Sequence, residues 1–94
     1  MTDISPYQRK ARALGLTVER STRTGKKLDV YKNGVFQASI GAAGMMDYER
    51  YLRRDGKQEA DKRRAAYRAR HVHRHKKFRD GRLTPAWLAS AILW

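Results

Sequence analysis

Apolar and polar positions alternate most clearly in the middle of the chain. Residues 28–31 and 35–40 are rich in aliphatic and aromatic side chains, and they flank the dipeptide Asn33-Gly34. This pair is typical of a type I′ turn, because both central residues of that turn take positive φ. The pattern therefore predicts a β-hairpin.

A two-residue loop also fixes a register for this hairpin. It places Tyr31 opposite Phe36 and Asp29 opposite Ala38. We expect Tyr31 and Phe36, extended by Ile40, to form the face that packs on the core.

A short helix is predicted near the N-terminus. Ser5 followed by Pro6 is an N-cap signal, and Gly15 is the residue expected after the helix end. Tyr7 and Leu14 then face the core, and the basic residues between them face solvent.

Weaker patterns lie on either side of the hairpin. Residues 16–21 alternate as a candidate third strand, and Gly41 to Gly44 is expected to end the hairpin. Residues 45–52 have the spacing of a short helix that begins with Met45 and ends near Gly56.

A longer helix is predicted over residues 57–73. Ala60, Arg64, Tyr67 and His71 line one stripe, and arginines and lysines occupy the other faces. Such a helix packs along a narrow seam, so its remaining faces are exposed to solvent or covered by a partner.

The C-terminal segment is the most apolar part of the chain. Residues 78–83 read as a linker, and Thr84-Pro85 repeats the signal for the start of a helix. Trp87 and Trp94 follow, and they serve either as core residues or as anchors in a groove of another protein. We favour the core, since large apolar residues are usually buried within their own fold.

These elements define one small basic α+β domain over residues 1–94. Its antiparallel sheet, the hairpin with the candidate third strand, packs with the basic and C-terminal helices. The chain has no cysteine, which excludes disulfides and thiolate metal sites. No stretch reaches the roughly 20 apolar residues that span a bilayer, and no secretory signal peptide is recognisable. We therefore expect no membrane partner.

Charge changes this picture most. The chain has 22 Lys and Arg against 9 Asp and Glu, and residues 53–82 hold 13 of the former against 4 of the latter. We expect most of these cations to lack internal partners and to bind a polyanion. The candidate residues are Arg53, Arg54, Lys57, Lys62, Arg63, Arg64, Arg68, Arg70, His71, Arg74, Lys76 and Lys77.

Catalytic and metal chemistry find little support. His71 and His75 have i, i+4 spacing, but a zinc site needs three or four ligands and the surrounding charge repels a cation. Glu59 and Asp61 are better explained by helix ion pairs. No phosphate loop or nucleophile motif is present, and we expect no cofactor, no metal, no small-molecule substrate and no enzymatic activity.

Four motifs occur together in order: KKLDVY at 26–31, SIGAAGMMDY at 39–48, RRAAYRARH at 63–71, and TPAW with a closing LW at 84–94. In this combination they resemble a family of small basic proteins encoded by large DNA viruses of algae and protists and by some phages. The resemblance implies a viral protein found in the virion or inside the infected cell, and it implies that the C-terminal segment belongs to the fold. It brings no established activity and no catalytic residue.

The sequence thus predicts a non-enzymatic protein that binds DNA or RNA through phosphate contacts, largely without sequence preference. The alternative is a minor virion protein that docks its arginines on acidic capsid surfaces and its apolar helix in a groove.

Overall fold

The computed structural model describes residues 3–71 and 76–94, and it is an α+β fold as predicted. The elements in chain order are α1 (Ser5–Ala13), β1 (Thr17–Arg20), β2 (Lys26–Lys32), β3 (Val35–Ala42), α2 (Tyr48–Asp55), α3 (Lys57–His71), β4 (Phe78–Arg79), β5 (Arg82–Leu83), α4 (Pro85–Leu88) and a π-helical turn (Ala89–Leu93).

The predicted hairpin is formed by β2 and β3, and β1 pairs with β2 as the third antiparallel strand. Asn33 and Gly34 form the turn, with φ of 50° and 77°. These angles are the left-handed values that a type I′ turn requires. Both the hairpin and the third strand are therefore confirmed.

The predicted register is correct near the turn and wrong beyond it. Tyr31 lies opposite Phe36, but a β-bulge shifts the pairing so that Val30, rather than Asp29, lies opposite Ala38. Gln37 is the extra residue of the bulge. Because one inserted residue reverses the faces of a strand, the prediction of the core face fails on one side of the bulge.

The core face of the hairpin is aliphatic. Leu28, Val30, Ala38 and Ile40 are buried there. Tyr31 and Phe36 lie half-buried on the opposite face, where their rings make an edge contact with centroids 5.8 Å apart.

The first helix differs from its prediction at both ends. Ser5 is the first helical residue rather than the cap, and Asp3 Oδ1 accepts hydrogen bonds from its amide and hydroxyl. Leu14 is exposed, and Leu16, just after the helix, is buried in its place. Gly15 does end the helix with φ 75°, as predicted.

The segment between the sheet and α3 is ordered by one aspartate and two glycines. Met45 lies outside α2, because the helix begins after Asp47, whose side chain caps it by accepting from Arg50 N. Gly56, with φ 87°, separates α2 from α3. Strand β3 continues through Gly41, where a Cβ atom would lie 3.1 Å from Leu93 Cδ1.

Residues 78–83 form a second hairpin rather than the predicted linker. Strands β4 and β5 pair antiparallel, with Phe78 opposite Leu83. Asp80 and Gly81 form the turn with φ of 52° and 77°. Asp-Gly is the other pair that favours a type I′ turn, but the two-residue strands leave no alternation to detect.

The C-terminal segment completes the core, which confirms that it belongs to the fold. Thr84 Oγ1 caps α4 by accepting from Trp87 N at 3.2 Å, as predicted. Leu88, Ile92 and Leu93 are buried against the sheet and α1. Over residues 3–71 and 76–94, no helix is long and apolar enough to cross a membrane.

Candidate polyanion-binding surface

The first part of the basic stretch is neutralised within the fold. The ion pairs, with their N to O distances, are Arg53–Asp3 (3.8 Å), Arg54–Asp55 (2.8 Å), Lys57–Asp61 (2.6 Å) and Arg63–Glu59 (2.9 Å). The expectation that these cations lack internal partners is wrong for these four. The helix ion pairs predicted for Glu59 and Asp61 are confirmed.

These pairs also lower the pKa values of their acidic groups. The hydrogen bond from Arg54 holds the pKa of Asp55 below its ordinary value. The pKa of Asp61 is lowered by hydrogen bonds from Lys57 and Tyr48. Solvent screens such exposed pairs, so they orient the side chains more than they stabilise the fold.

Arg64 points into the protein. Its guanidinium lies 3.4 Å from the ring centroid of Tyr48, and its Nε is buried without a hydrogen-bond partner. Lys10 also turns inward, 5.2 Å from the same ring and 3.6 Å from Glu49, although the sequence placed it in solvent. Burial lowers the pKa of Lys10. Both cations therefore hold α1 and α3 to α2.

An aromatic column lies at the end of α3. Tyr67 stacks on His71 with centroids 4.3 Å apart and on Trp94 at 4.6 Å, and Trp94 also approaches Tyr51 at 6.1 Å. Arg68 Nη2 lies 3.5 Å from the carbonyl oxygen of Trp94. Trp94 thus serves as an internal anchor, and the ring faces of Tyr67 are already covered.

A groove of about 340 Å³ runs beside this column. Its lining includes Lys27, Met45, Tyr67, Arg70 and Trp94. The amine of Lys27 is bound by Asp47 Oδ2 at 2.9 Å and by Met45 O. Arg70 therefore supplies the available positive charge at this groove.

The remaining cations of the basic stretch are exposed and have no acidic partner among the residues described. They are Lys62, Arg68, Arg70, Lys76, Lys77, Arg79 and Arg82. We call these seven residues the open cations. Arg79 and Arg82 were absent from the predicted site, although they belong to the same basic run. Arg74, which was predicted, lies outside the described residues.

Two lysines lie near the aromatic rings of the second hairpin and α4. Lys77 Nζ lies 5.5 Å from the ring centroid of Phe78 and 4.8 Å from that of Trp87. Lys32, at the end of β2, places its amine 5.6 Å from the Phe78 ring. Trp87 is partly buried against the core, whereas Phe78 is 49% exposed.

Sequence reasoning missed one buried polar cluster. The Tyr7 hydroxyl donates to both carboxylate oxygens of Asp47 at 2.8 Å, and Lys27 completes the cluster. Burial and the Asp47 charge raise the pKa of Tyr7. Asp47 is 1% exposed, so the cluster has structural rather than reactive geometry. The helix-capping position of Asp47 was its one sequence signal.

Metal ligands do not converge in the described part of the chain, which contains no group of three or more histidine or acidic side chains placed to hold an ion. Of the predicted pair, His71 lies in the aromatic column and His75 lies outside the described residues. Comparison of the chain with protein-family models, curated proteins and solved structures finds no match.

Proposed function

We propose that this protein is a non-enzymatic nucleic-acid-binding protein that holds its ligand through phosphate contacts, largely without sequence preference. The observation that carries the proposal is the division of the basic stretch. Arg53, Arg54, Lys57 and Arg63 are ion-paired, whereas the seven open cations have no acidic partner in the residues described.

The open cations lie on two elements that follow each other in the chain. Lys62, Arg68 and Arg70 are on α3, and the other four are on and beside the second hairpin. His71 and Lys76 are five residue steps apart, so their Cα atoms lie at most about 18 Å apart. That distance is about the length of five stacked nucleotides, so one short stretch of nucleic acid can contact both elements.

Arginines without an acidic partner suit phosphate, since the planar guanidinium donates two parallel hydrogen bonds to the phosphate oxygens. Each phosphate that is neutralised releases counterions, so affinity falls steeply as salt rises. A surface built this way reads charge and backbone spacing rather than base identity.

Fluorescence anisotropy with labelled 20-nucleotide DNA and RNA between 50 and 200 mM salt tests the proposal. We expect the logarithm of affinity to fall linearly with the logarithm of salt concentration. Absence of binding across this range, or binding that ignores salt, would refute nucleic-acid attachment.

Two variants with the same change in net charge separate the open cations from the paired ones. The first replaces Lys62, Arg70, Arg79 and Arg82 with glutamine, and the second replaces Arg53, Arg54, Lys57 and Arg63. We expect the first to lose at least about tenfold in affinity and about three units of salt slope. The second should lose less than about threefold. Equal losses would mean that net charge, not this surface, governs binding.

The viral setting is part of this proposal, and the four-motif resemblance supports it. Docking on an acidic capsid surface would use the same cations. Its proposed anchors, Trp87 and Trp94, both pack within this fold, so no specific contact favours that alternative. Gentle disruption of purified particles distinguishes the two, since a nucleic-acid-bound protein leaves with the genome and a capsid-bound protein stays with the shell.

A further inference from the structure

We propose that Phe78 is a stacking platform for an unpaired base, so that the ligand of the second hairpin is single-stranded nucleic acid. This inference rests on the proposed function and specifies its substrate class. The deciding feature is an exposed aromatic ring, held on a hairpin that is bonded to the core, with two lysine amines beside it.

The Phe78 ring is more exposed to solvent than the other aromatic rings in the described residues. Phe78 is 49% exposed. Tyr67 and Trp94 cover each other in the aromatic column, and Tyr31 and Phe36 are half-buried against each other. Single exposed apolar residues are common on protein surfaces, but an aromatic ring also offers a flat face on which a base can stack.

The backbone before Phe78 and the strand opposite it are both bonded to the core. Lys76 O accepts from the Thr84 hydroxyl, and Lys77 O accepts from Thr84 N at 2.9 Å. Across the hairpin, Leu83 is 4% exposed, and its N–H donates to Gln37 Oε1 at 3.0 Å. The ring is therefore displayed with little conformational freedom to lose on binding.

Gln37 connects the first hairpin to the second hairpin, which carries Phe78. It is the residue that the β-bulge adds to β3, and its buried side chain reaches from the sheet to β5. Bulges commonly redirect one side chain away from the regular alternation. Here the redirected amide fixes the second hairpin on the sheet.

Charge around the ring matches a nucleotide rather than a protein or a lipid chain. The amines of Lys32 and Lys77 lie over the ring, 5.6 and 5.5 Å from its centroid. A stacked base would therefore displace an amine on a flexible side chain, which stays close enough to meet the phosphate of that nucleotide. Arg79 and Arg82, together with Asp80, line a groove of about 320 Å³ elsewhere on the same hairpin. A base on the ring would bring a flanking phosphate toward these two lysines.

A single strand fits this arrangement better than a duplex. Bases within a duplex already stack on their neighbours, whereas an unpaired base offers both faces to an aromatic side chain. A duplex can contact the open cations, but it gains nothing from Phe78.

Anisotropy titrations with a 20-nucleotide oligothymidine and a 20-base-pair DNA duplex test the inference. We expect Phe78→Ala to weaken oligothymidine binding about 5- to 100-fold without changing the salt slope, as loss of one stacked base does. Duplex binding should change less than twofold. Val35→Ala, which truncates an exposed apolar residue of the first hairpin, should leave both affinities unchanged.

Two further variants distinguish stacking on an aromatic ring from contact with an apolar side chain of similar size. Phe78→Tyr retains the aromatic face and should bind as the original protein does, and Phe78→Leu retains apolar bulk and should bind as weakly as Phe78→Ala. Equal binding by Phe78→Leu and the original protein would overturn the stacking role. Circular dichroism and thermal unfolding establish that each variant is folded.

Cross-linking gives a second, independent measurement on the unmodified protein. Oligonucleotides with 5-bromodeoxyuridine should cross-link on irradiation to residues 76–82. Cross-links that lie only on α3 would refute the platform while leaving the proposed function intact. Absence of binding to either nucleic acid would instead refute the proposed function itself.

Discussion

The two hairpins of this protein share one turn geometry and differ in almost everything else. Asn33-Gly34 has φ of 50° and 77°, and Asp80-Gly81 has φ of 52° and 77°. The first joins strands of seven and eight residues whose aliphatic face forms the core. The second joins two-residue strands in which Leu83 is buried and Phe78 is exposed. The turn fixes local geometry, and the flanking residues decide whether a hairpin builds a core or displays a surface.

The largest expected contrast between the hairpins is in packing. Leu28→Ala, in the first hairpin, removes a side chain that is 1% exposed and should lower the free energy of unfolding by about 2 to 5 kcal/mol. Phe78→Ala should cost about 1 kcal/mol or less, because half of its ring is already in water. Urea denaturation measures both. Similar losses would contradict the division between core and display hairpin.

The second contrast concerns buried charge. Asp47→Asn leaves the amine of Lys27, on β2, without its counter-ion and should cost about 3 kcal/mol. The matched substitution Asp80→Asn in the second turn should change stability by less than about 0.5 kcal/mol, since asparagine tolerates positive φ. Urea denaturation at neutral pH checks both values. A small loss for Asp47→Asn would show that Lys27 escapes to solvent.

The same comparison explains what could be predicted from the sequence. Asn33-Gly34 was recognisable because long alternating strands surround it, and Thr84-Pro85 because a helix follows. Asp80-Gly81 carries an equivalent turn signal, but its short strands have no periodicity of their own. The bulge at Gln37 has no local signal either, and its side chain accepts a hydrogen bond from Leu83, which is distant in the chain.

The candidate surface was predictable in composition and only partly in detail. Counting charges located the basic stretch, and i, i+4 spacing indicated the pairs that Glu59 and Asp61 make. The pair between Arg53 and Asp3 and the burial of Arg64 on Tyr48 depend on how the helices pack. Sequence spacing carries no information about such contacts.

Alkaline pH should gradually weaken the buried polar cluster of Tyr7, Asp47 and Lys27. The pKa of Tyr7 in the folded protein lies above its ordinary value near 10, chiefly because of burial and also because of Asp47. Its contribution to stability is therefore complete below about pH 10 and is lost as pH rises. We expect the free energy of unfolding to fall by up to about 1.4 kcal/mol per pH unit more than in Tyr7→Phe.

Urea denaturation of the original protein and Tyr7→Phe at several pH values from 9 to 11 measures this difference. Identical slopes would show that the Tyr7 hydroxyl ionises as easily in the folded protein as in the unfolded chain.

The smallest expected effect comes from a direct comparison of the two turns. Gly34→Ala and Gly81→Ala both place a Cβ atom at φ 77°, and neither Cβ would meet another atom within 4 Å. Each substitution therefore adds the same backbone strain, about 1 kcal/mol. In the first hairpin the long strands hold the turn closed, so Gly34→Ala should lower global stability by that amount.

In the second hairpin the strain has an easier release. The two-residue strands contribute little to the core, so Gly81→Ala should strain the second hairpin but lower global stability by less than about 0.5 kcal/mol. Its effect should instead appear as faster amide hydrogen exchange at Leu83 and weaker binding of oligothymidine. If Gly81→Ala costs as much global stability as Gly34→Ala, the second hairpin unfolds only with the core, and its display of Phe78 is as rigid as the sheet itself.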